Sequence, residues 1–579
     1  MSVRLPALSF GALVVGSVIA VDPGGLSPFG PSKWLVVSTL ACATAGLALR
    51  RSDRRCEPRT WWMWTVLLGL LTLSALVNGD AKVALFGHPD RHLGVLTWVL
   101  LFALFCAGQQ LADEVTLVGR AGVIAAAALG VYSLWELLFG PPIAVATTTR
   151  RLLGPFGSAA MLGAACCLLG PVVLGVAFDR SQDRRWRLAG GLSAVLLAIA
   201  VLGTGTRAAW IGVAVTAVAV IVAVRPTRHS VLWCAAGVVA AVSIVAPRLH
   251  EVSSRSDSSS SRSDEWRIAA RVIGGHPIVG VGPEGYRIAI SERIDDAYER
   301  AYRRDTVLPD RAHSGPLDVT LAGGLAAGLL YIVLLGFVGW RSWRLMRSKG
   351  PPAVGIGAAV IAYGVQQLLL FPLAELDPIW WLFGGLVVAL SSTSDSIVHR
   401  RVVVPVLAAA TSMFMLVIGV LDVAADRLAR TALRATDHDD AVDAADRAVA
   451  LRPDDMRYRL VAAEALLDRG TLADIDRAVA EARRATDWSS KDPFAIDELA
   501  TAMSQRAVVT GETSDANAAL AQWRHLVEGD PHRARWQLQL GRAAALAGDN
   551  DLARQAWLVA EDLGEPGATE LLDALDASS

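Results

Sequence analysis

The chain should fold as an all-α protein in two parts. Residues 1–423 read as a polytopic helical membrane domain, and residues 424–579 as an α-solenoid of stacked helical repeats. Three observations predict this. Apolar stretches of membrane length recur as far as Val423. Lipid offers no partner for free backbone N–H and C=O groups, so each stretch must satisfy its own as a helix. Beyond Val423 the composition shifts to Ala, Asp and Arg with apolar residues at helical spacing. Prolines at positions 453, 493, 531 and 566 then punctuate the remainder at nearly even intervals, the signature of repeated helix pairs.

The candidate spans, about 12–13 in number, are 5–21, 34–49, 61–77, 93–111, 115–139, 159–178, 186–203, 208–224, 231–246, 317–340, 353–371, 379–390 and 402–423. The stretch 379–390 is the weakest of them. The first stretch has one Arg ahead of it and no small-residue cleavage pattern before Asp22, so it reads as a retained helix.

Basic residues set the orientation. They crowd the even connections: Arg50, Arg51, Arg54, Arg55 and Arg59 in the second, Arg180, Arg184 and Arg185 in the sixth, Arg225 and Arg228 in the eighth, Arg341, Arg344 and Arg347 in the tenth, and Arg400 and Arg401 in the twelfth. The N-terminus and these connections should be cytoplasmic, in a cytoplasmic (inner) membrane. The odd connections and the repeat domain should be extracytoplasmic. Arg151, Arg207 and the arginines of the long connection 247–316 then lie on the outer side against this bias. An anionic ligand is one reason to keep them there.

The formal net charge of −1 hides an asymmetry. From Ala424 onward acids exceed bases by about eleven, so the membrane half is basic. No basic tract interleaves with aromatics, which excludes a nucleic-acid partner. The six cysteines show no paired metal spacing, and Cys166 and Cys167 should pack in a helix; neither a disulfide scaffold nor a metal site is expected. Glu375 and Asp377 at an outer connection should orient an Arg or face water. His88, His92 and His276 have no partner that the sequence identifies.

The connection 247–316 opens with a Ser/Arg/Asp tract, 251–263, that reads as flexible. Residues 265–273 read as an amphipathic helix suited to the headgroup region, with Trp266, Ala269, Ala270 and Ile273 on one face and Arg267 and Arg271 on another. A glycine-punctuated turn follows, with Pro277, Gly280 and Gly282. It is no phosphate-binding loop, because no Gly-Lys-Ser/Thr follows it. The connection ends at Ala312-His313-Ser314-Gly315-Pro316, directly ahead of a helix.

Five elements in order carry a resemblance. They are Arg151-x-x-Gly154-x-Phe156, Thr204-x-x-Arg207, Arg262 followed by Trp266, Pro277-x-x-Gly280-x-Gly282, and Ala312-His313 before a helix with Gly323, Gly324 and Gly328. Together they resemble the O-antigen ligase/polymerase family of bacterial membrane glycosyltransferases. The resemblance covers about residues 150–377. It departs after the loop histidine, where the family commonly has Asn and this chain has Ser314. Among Arg262, Arg267 and Arg271, the spacing to Trp266 favours Arg262.

The resemblance implies a glycosyltransferase-C-like membrane fold and a glycan donor on a polyprenyl diphosphate at the outer leaflet. The acceptor would be a glycan, lipid or protein hydroxyl, attacked with inversion. Arg207, Arg262 and Arg151 are the candidates for the diphosphate, since guanidinium forks bind phosphate oxygens bidentately and stay charged. Arg207 opens an apolar helix, whose N-terminus favours an anion. Positioned guanidiniums stabilise charge growing on the leaving diphosphate, and no cofactor or metal is called for. His313, neutral at rest, is the candidate general base.

Two other readings compete. A transporter or flippase of lipid-linked glycan should place charges in mid-membrane, and here they avoid span centres. A non-enzymatic scaffold displaying the repeats would not need so many spans. The repeats resemble tetratricopeptide units, most clearly at Leu540-Gly541, Gly548, Ala553, Ala556-Trp557 and Pro566. Their acidic surface should bind a protein partner, a peptide or a basic glycan, or cap the membrane part.

Overall fold

The computed structural model describes residues 4–52, 56–78, 80–143, 151–225, 227–253, 257–304, 309–392, 399–400 and 403–578. It is built of helices. The one extended feature among the described residues is a two-residue ladder pairing Arg51 with Arg400 and Ser52 with His399. Each of the thirteen apolar stretches coincides with a helix. Among the described residues eight helices are long and apolar enough to cross a bilayer, and four shorter apolar ones accompany them. The remaining stretch, Pro351–Gln367, is buried among its neighbours and ends in two buried glutamines. Helix Asp377–Leu390, weakest by sequence, is central to the bundle, with Trp380, Trp381 and Phe383 all buried. Its Gly385 and the facing Gly108 leave no room for a Cβ against the opposite backbone, the close approach that holds helices together in lipid.

The connections sort onto two ends of the bundle, as the charge pattern requires. At one end the second and twelfth meet in the small ladder. There Arg120 binds Gln182 of the sixth, and Arg341 reaches Ser391 and Ser392 ahead of the twelfth. At the other end the odd connections meet. Leu152 donates to Gly203 O at 3.0 Å, Gly315 to Leu370 O at 2.9 Å, and Arg427 pairs with Asp22.

The long connection folds into a small unit of its own, which corrects two expectations. Residues 257–263 of the Ser/Arg/Asp tract are the first turns of the helix Asp257–Gly275, while 254–256 lie outside the described residues. The buried face of that helix is Ile268, Ala269 and Val272, with Ala270 exposed. It packs on Tyr286, Ile290, Ile294, Tyr298 and Leu321 rather than presenting an apolar face outward. The glycine turn wedges into a break in the helix Gly315–Ser348 at Gly324, where φ is +82°. Val281 donates to Leu321 O at 2.7 Å and Leu325 to Pro277 O at 2.9 Å. A Cβ on Gly280 or Gly324 would run into the other segment's backbone, which is why both positions need glycine.

Helix Val403–Arg434 runs without a break from the bundle into the repeats. Eight helices from His438–Leu451 to Ala568–Ser578 then stack antiparallel in pairs on Ala-rich cores among the described residues. Asp437, Asp455, Thr471, Asp492 and Asp549 cap helix N-termini through their side chains. The stack folds back over the long connection and clamps its arginines. Arg304, 2% exposed, lies between Glu299 at 2.6 Å and Asp530 at 2.6 Å. Arg287 pairs with Asp492 at 2.7 Å, Arg300 with Asp562 at 2.5 Å, and His532 faces Asp296 at 2.5 Å. The acidic repeats therefore cap the membrane half.

Candidate functional site

Helix Arg184–Thr204 ends in a left-handed Gly205, and Thr206 caps the next helix, Arg207–Val224. Arg207 is thus the first residue of an apolar helix. It is exposed and makes no hydrogen bond or ion pair among the described residues. The same turn holds Arg151. Its Nε donates to Thr204 O at 2.6 Å and its Nη2 to Thr206 Oγ1 at 2.9 Å. The Arg-x-x-Gly-x-Phe stretch is tied down from below, where Glu136 accepts the N–H groups of Leu153 and Gly154, each at 2.8 Å. Two arginines from different segments therefore meet at one helix N-terminus, where backbone N–H groups also favour an anion.

His313 sits in a turn with φ +52°, a left-handed conformation that a non-glycine residue adopts only when its surroundings hold it. The restraint is Asp318, one turn into the following helix. It accepts the N–H of Ala312 at 2.9 Å and of Ser314 at 3.3 Å. Trp266 adds a second tie, donating its indole N–H to Ala312 O at 2.8 Å. Trp266 and Arg262 lie four residues apart on one helix, hence on one face. The bond that fixes the histidine turn therefore also brings Arg262 to it. Arg262 acts electrostatically on both Arg151 and His313. Arg267 and Arg271 are engaged elsewhere, with Asp264 and Asp295, each at 3.1 Å.

Glu265, on the same helix face, places Oε2 3.1 Å from His313 Nδ1. Burial pulls the imidazole pKa down, but Glu265, with Asp318 behind it, outweighs burial and the opposing Arg262, so the pKa is raised above its ordinary value. Burial, and then the neighbouring Arg262, hold Arg151 below its ordinary value. This is the mark of cations gathered without a compensating acid.

Around this core, Phe371 meets the His313 ring edge-on at 5.5 Å and also lies under Arg91 at 5.2 Å. Arg91 binds Asp310 at 2.6 Å, and Arg311 binds Glu284 at 2.6 Å. Arg262 thus acts on both Arg151 and His313, and Arg207 opens the helix whose preceding turn holds Arg151. Glu265 and Asp318 went unread, although an acid three residues from Arg262 and an acid in the first turn of a helix are both local signals. Phe371 and Arg91 have no such signal. Asp377 does not face water, because it is buried and accepts from Tyr363 Oη at 2.6 Å and Gln367 at 2.9 Å. Glu375 acts on Arg91 and Lys33. His88 does have a partner, Arg287, at 2.6 Å, and His92 stacks flat on Trp34 at 4.5 Å. No group of three or more His, Cys, Asp or Glu side chains among the described residues is arranged to hold a metal ion.

The O-antigen ligase family model matches residues 192–332, a stretch that holds Arg207, Arg262, Glu265 and His313 and stops short of Arg151. The tetratricopeptide repeat model matches residues 427–493 and 502–568. No curated protein matches the chain.

Proposed function

Because the chain carries an O-antigen ligase domain within a multi-pass helical bundle and tetratricopeptide repeats behind it, we propose that it transfers a glycan from a polyprenyl diphosphate to an acceptor hydroxyl at the outer face of the cytoplasmic membrane. The observation that carries this reading is that Arg262 acts on both Arg151 and the carboxylate-backed His313, while Arg151 is bound to the turn that opens the helix at Arg207.

The donor's diphosphate binds Arg207 and Arg262, with Arg151 and the helix N-terminus completing the anion site. Glu265 faces Nδ1 and so keeps the ring proton there, which leaves Nε2 of His313 to accept. The acceptor hydroxyl attacks the anomeric carbon, a new C–O bond forms on the opposite face, and the bond to the diphosphate oxygen breaks. The acceptor proton passes to Nε2, and the diphosphate leaves as an anion held by the guanidiniums. These fixed charges act where negative charge grows, so the step needs no metal. The N-terminus and even connections are then cytoplasmic, and the repeats lie outside with the site. The raised pKa makes His313 a stronger base.

The test is transfer by the purified full chain in lipid nanodiscs, with lipid-linked glycan as donor. His313→Ala should lower turnover by about 10²–10⁴-fold while donor binding persists. Undiminished transfer by that variant rules the mechanism out.

A further inference from the structure

Between the long connection and the repeats lies a cavity of about 360 Å³. Its walls come from three separate parts of the chain. Asn78 and Asp80 follow the third span, the glycine turn supplies the segment from His276 to Glu292, and the repeats supply Lys491, His525 and Trp536. We propose that this cavity is a saccharide subsite for the acceptor, built jointly by loop and repeats; the assignment rests on the transferase reading above.

Three observations carry it. The lining alternates apolar surface (Val281, Ile288, Leu526) with hydrogen-bonding groups, the mixture that fits a sugar's C–H faces and hydroxyls. Several of those groups are unspent. The side chains of Glu292, Lys491 and His525 make no hydrogen bond or ion pair among the described residues. The hydroxyl of Ser291, 7% exposed, is buried without a partner. An orphaned buried hydroxyl is costly, and a ligand hydroxyl would satisfy it. Finally, the cavity is wired to the reaction corner. Glu284 lines it and binds Arg311 at 2.6 Å, two residues before His313. A glycan seated here would extend toward the imidazole.

Position 529 is the place to probe it. Gly529 lines the cavity, and a Cβ there meets nothing within 4 Å, so a larger side chain enters open space. With benzoylphenylalanine at position 529 of the full chain, irradiated cells should yield a cross-linked product that stains for periodate-oxidised carbohydrate. The same product should form with His313→Ala, which binds acceptor without consuming it. Cross-links to polypeptide alone, or none bearing carbohydrate, overturn the subsite. In nanodiscs Gly529→Trp should raise the acceptor KM about tenfold, equivalent to about 1.4 kcal/mol of binding, with donor KM unmoved. An unchanged acceptor KM also overturns it. Loss of transfer in His313→Ala without carbohydrate capture would reject the subsite and leave the transferase reading standing. Normal transfer in His313→Ala would reject that reading on separate grounds.

Discussion

The arginines of the connections and helix starts form two sets that look alike in sequence and behave oppositely in the structure. Arg287, Arg300 and Arg304 each meet an aspartate of the repeats, and Arg304 is sealed between two buried carboxylates. Arg151, Arg207 and Arg262 gather with no acid paired to them among the described residues, except that Arg151 donates to neutral Thr204 and Thr206. Only the second set leaves charge available. A basic residue on the outer side is therefore no sign of an anionic ligand by itself; the sign is a guanidinium held in place and left unneutralised.

The comparison can be broken most forcefully at its structural end. Arg304→Ala would strand Asp530 and Glu299 as buried, unpaired carboxylates, which should destabilise the docked repeats by about 3–5 kcal/mol. Denaturant unfolding followed by the repeat tryptophans measures this, and the folded fraction should keep its turnover. At the opposite end, Arg207→Ala should leave unfolding untouched, because the side chain is exposed and holds nothing. It should lower kcat by about 10²–10³-fold, the cost of removing one donor from a developing anion. If the two variants exchanged phenotypes, the division between the sets would be wrong.

A smaller effect sharpens the histidine. Glu265→Gln should cost about tenfold in kcat by weakening the base, and it should shift the acidic limb of the rate profile to lower pH. The same substitution has a stability signature. A histidine whose folded pKa is raised stabilises the fold below its ordinary pKa, and it loses that contribution as pH rises through the raised value. The stability gap between wild type and Glu265→Gln should thus be widest in mild acid and close above neutrality. A gap independent of pH would mean that the two side chains do not interact. Smallest of all is Arg267→Ala. Its pair with Asp264 is solvent-exposed and should be worth under about 1 kcal/mol, with turnover unchanged. That isolates Arg262 as the arginine of this helix that matters.

Much of this was legible in the residues because it is local or set by the solvent. Apolar length dictates spanning helices, arginine placement dictates which connections share an end, and proline spacing reveals the repeats. His313, Arg207, Arg262 and Arg151 stood out through fixed short spacings. The flexible tract was misread because a run of Ser and Arg looks like a linker, whereas tertiary packing of Ile268, Ala269 and Val272 extends one helix back through it. Asp377 was misread because nothing near it in sequence announces Tyr363 as its partner.

By itself the sequence determined the helices, the two-part organisation and the residue types able to grip a diphosphate, since periodicity, hydropathy and charge act over a few residues. Only the tertiary structure decided which arginines stay free and which carboxylate backs His313. It alone decided that the acidic repeats close over the long connection and enclose a cavity. Those outcomes depend on groups hundreds of positions apart meeting within hydrogen-bond distance, as Arg304 and Asp530 do, and no local pattern encodes such a meeting.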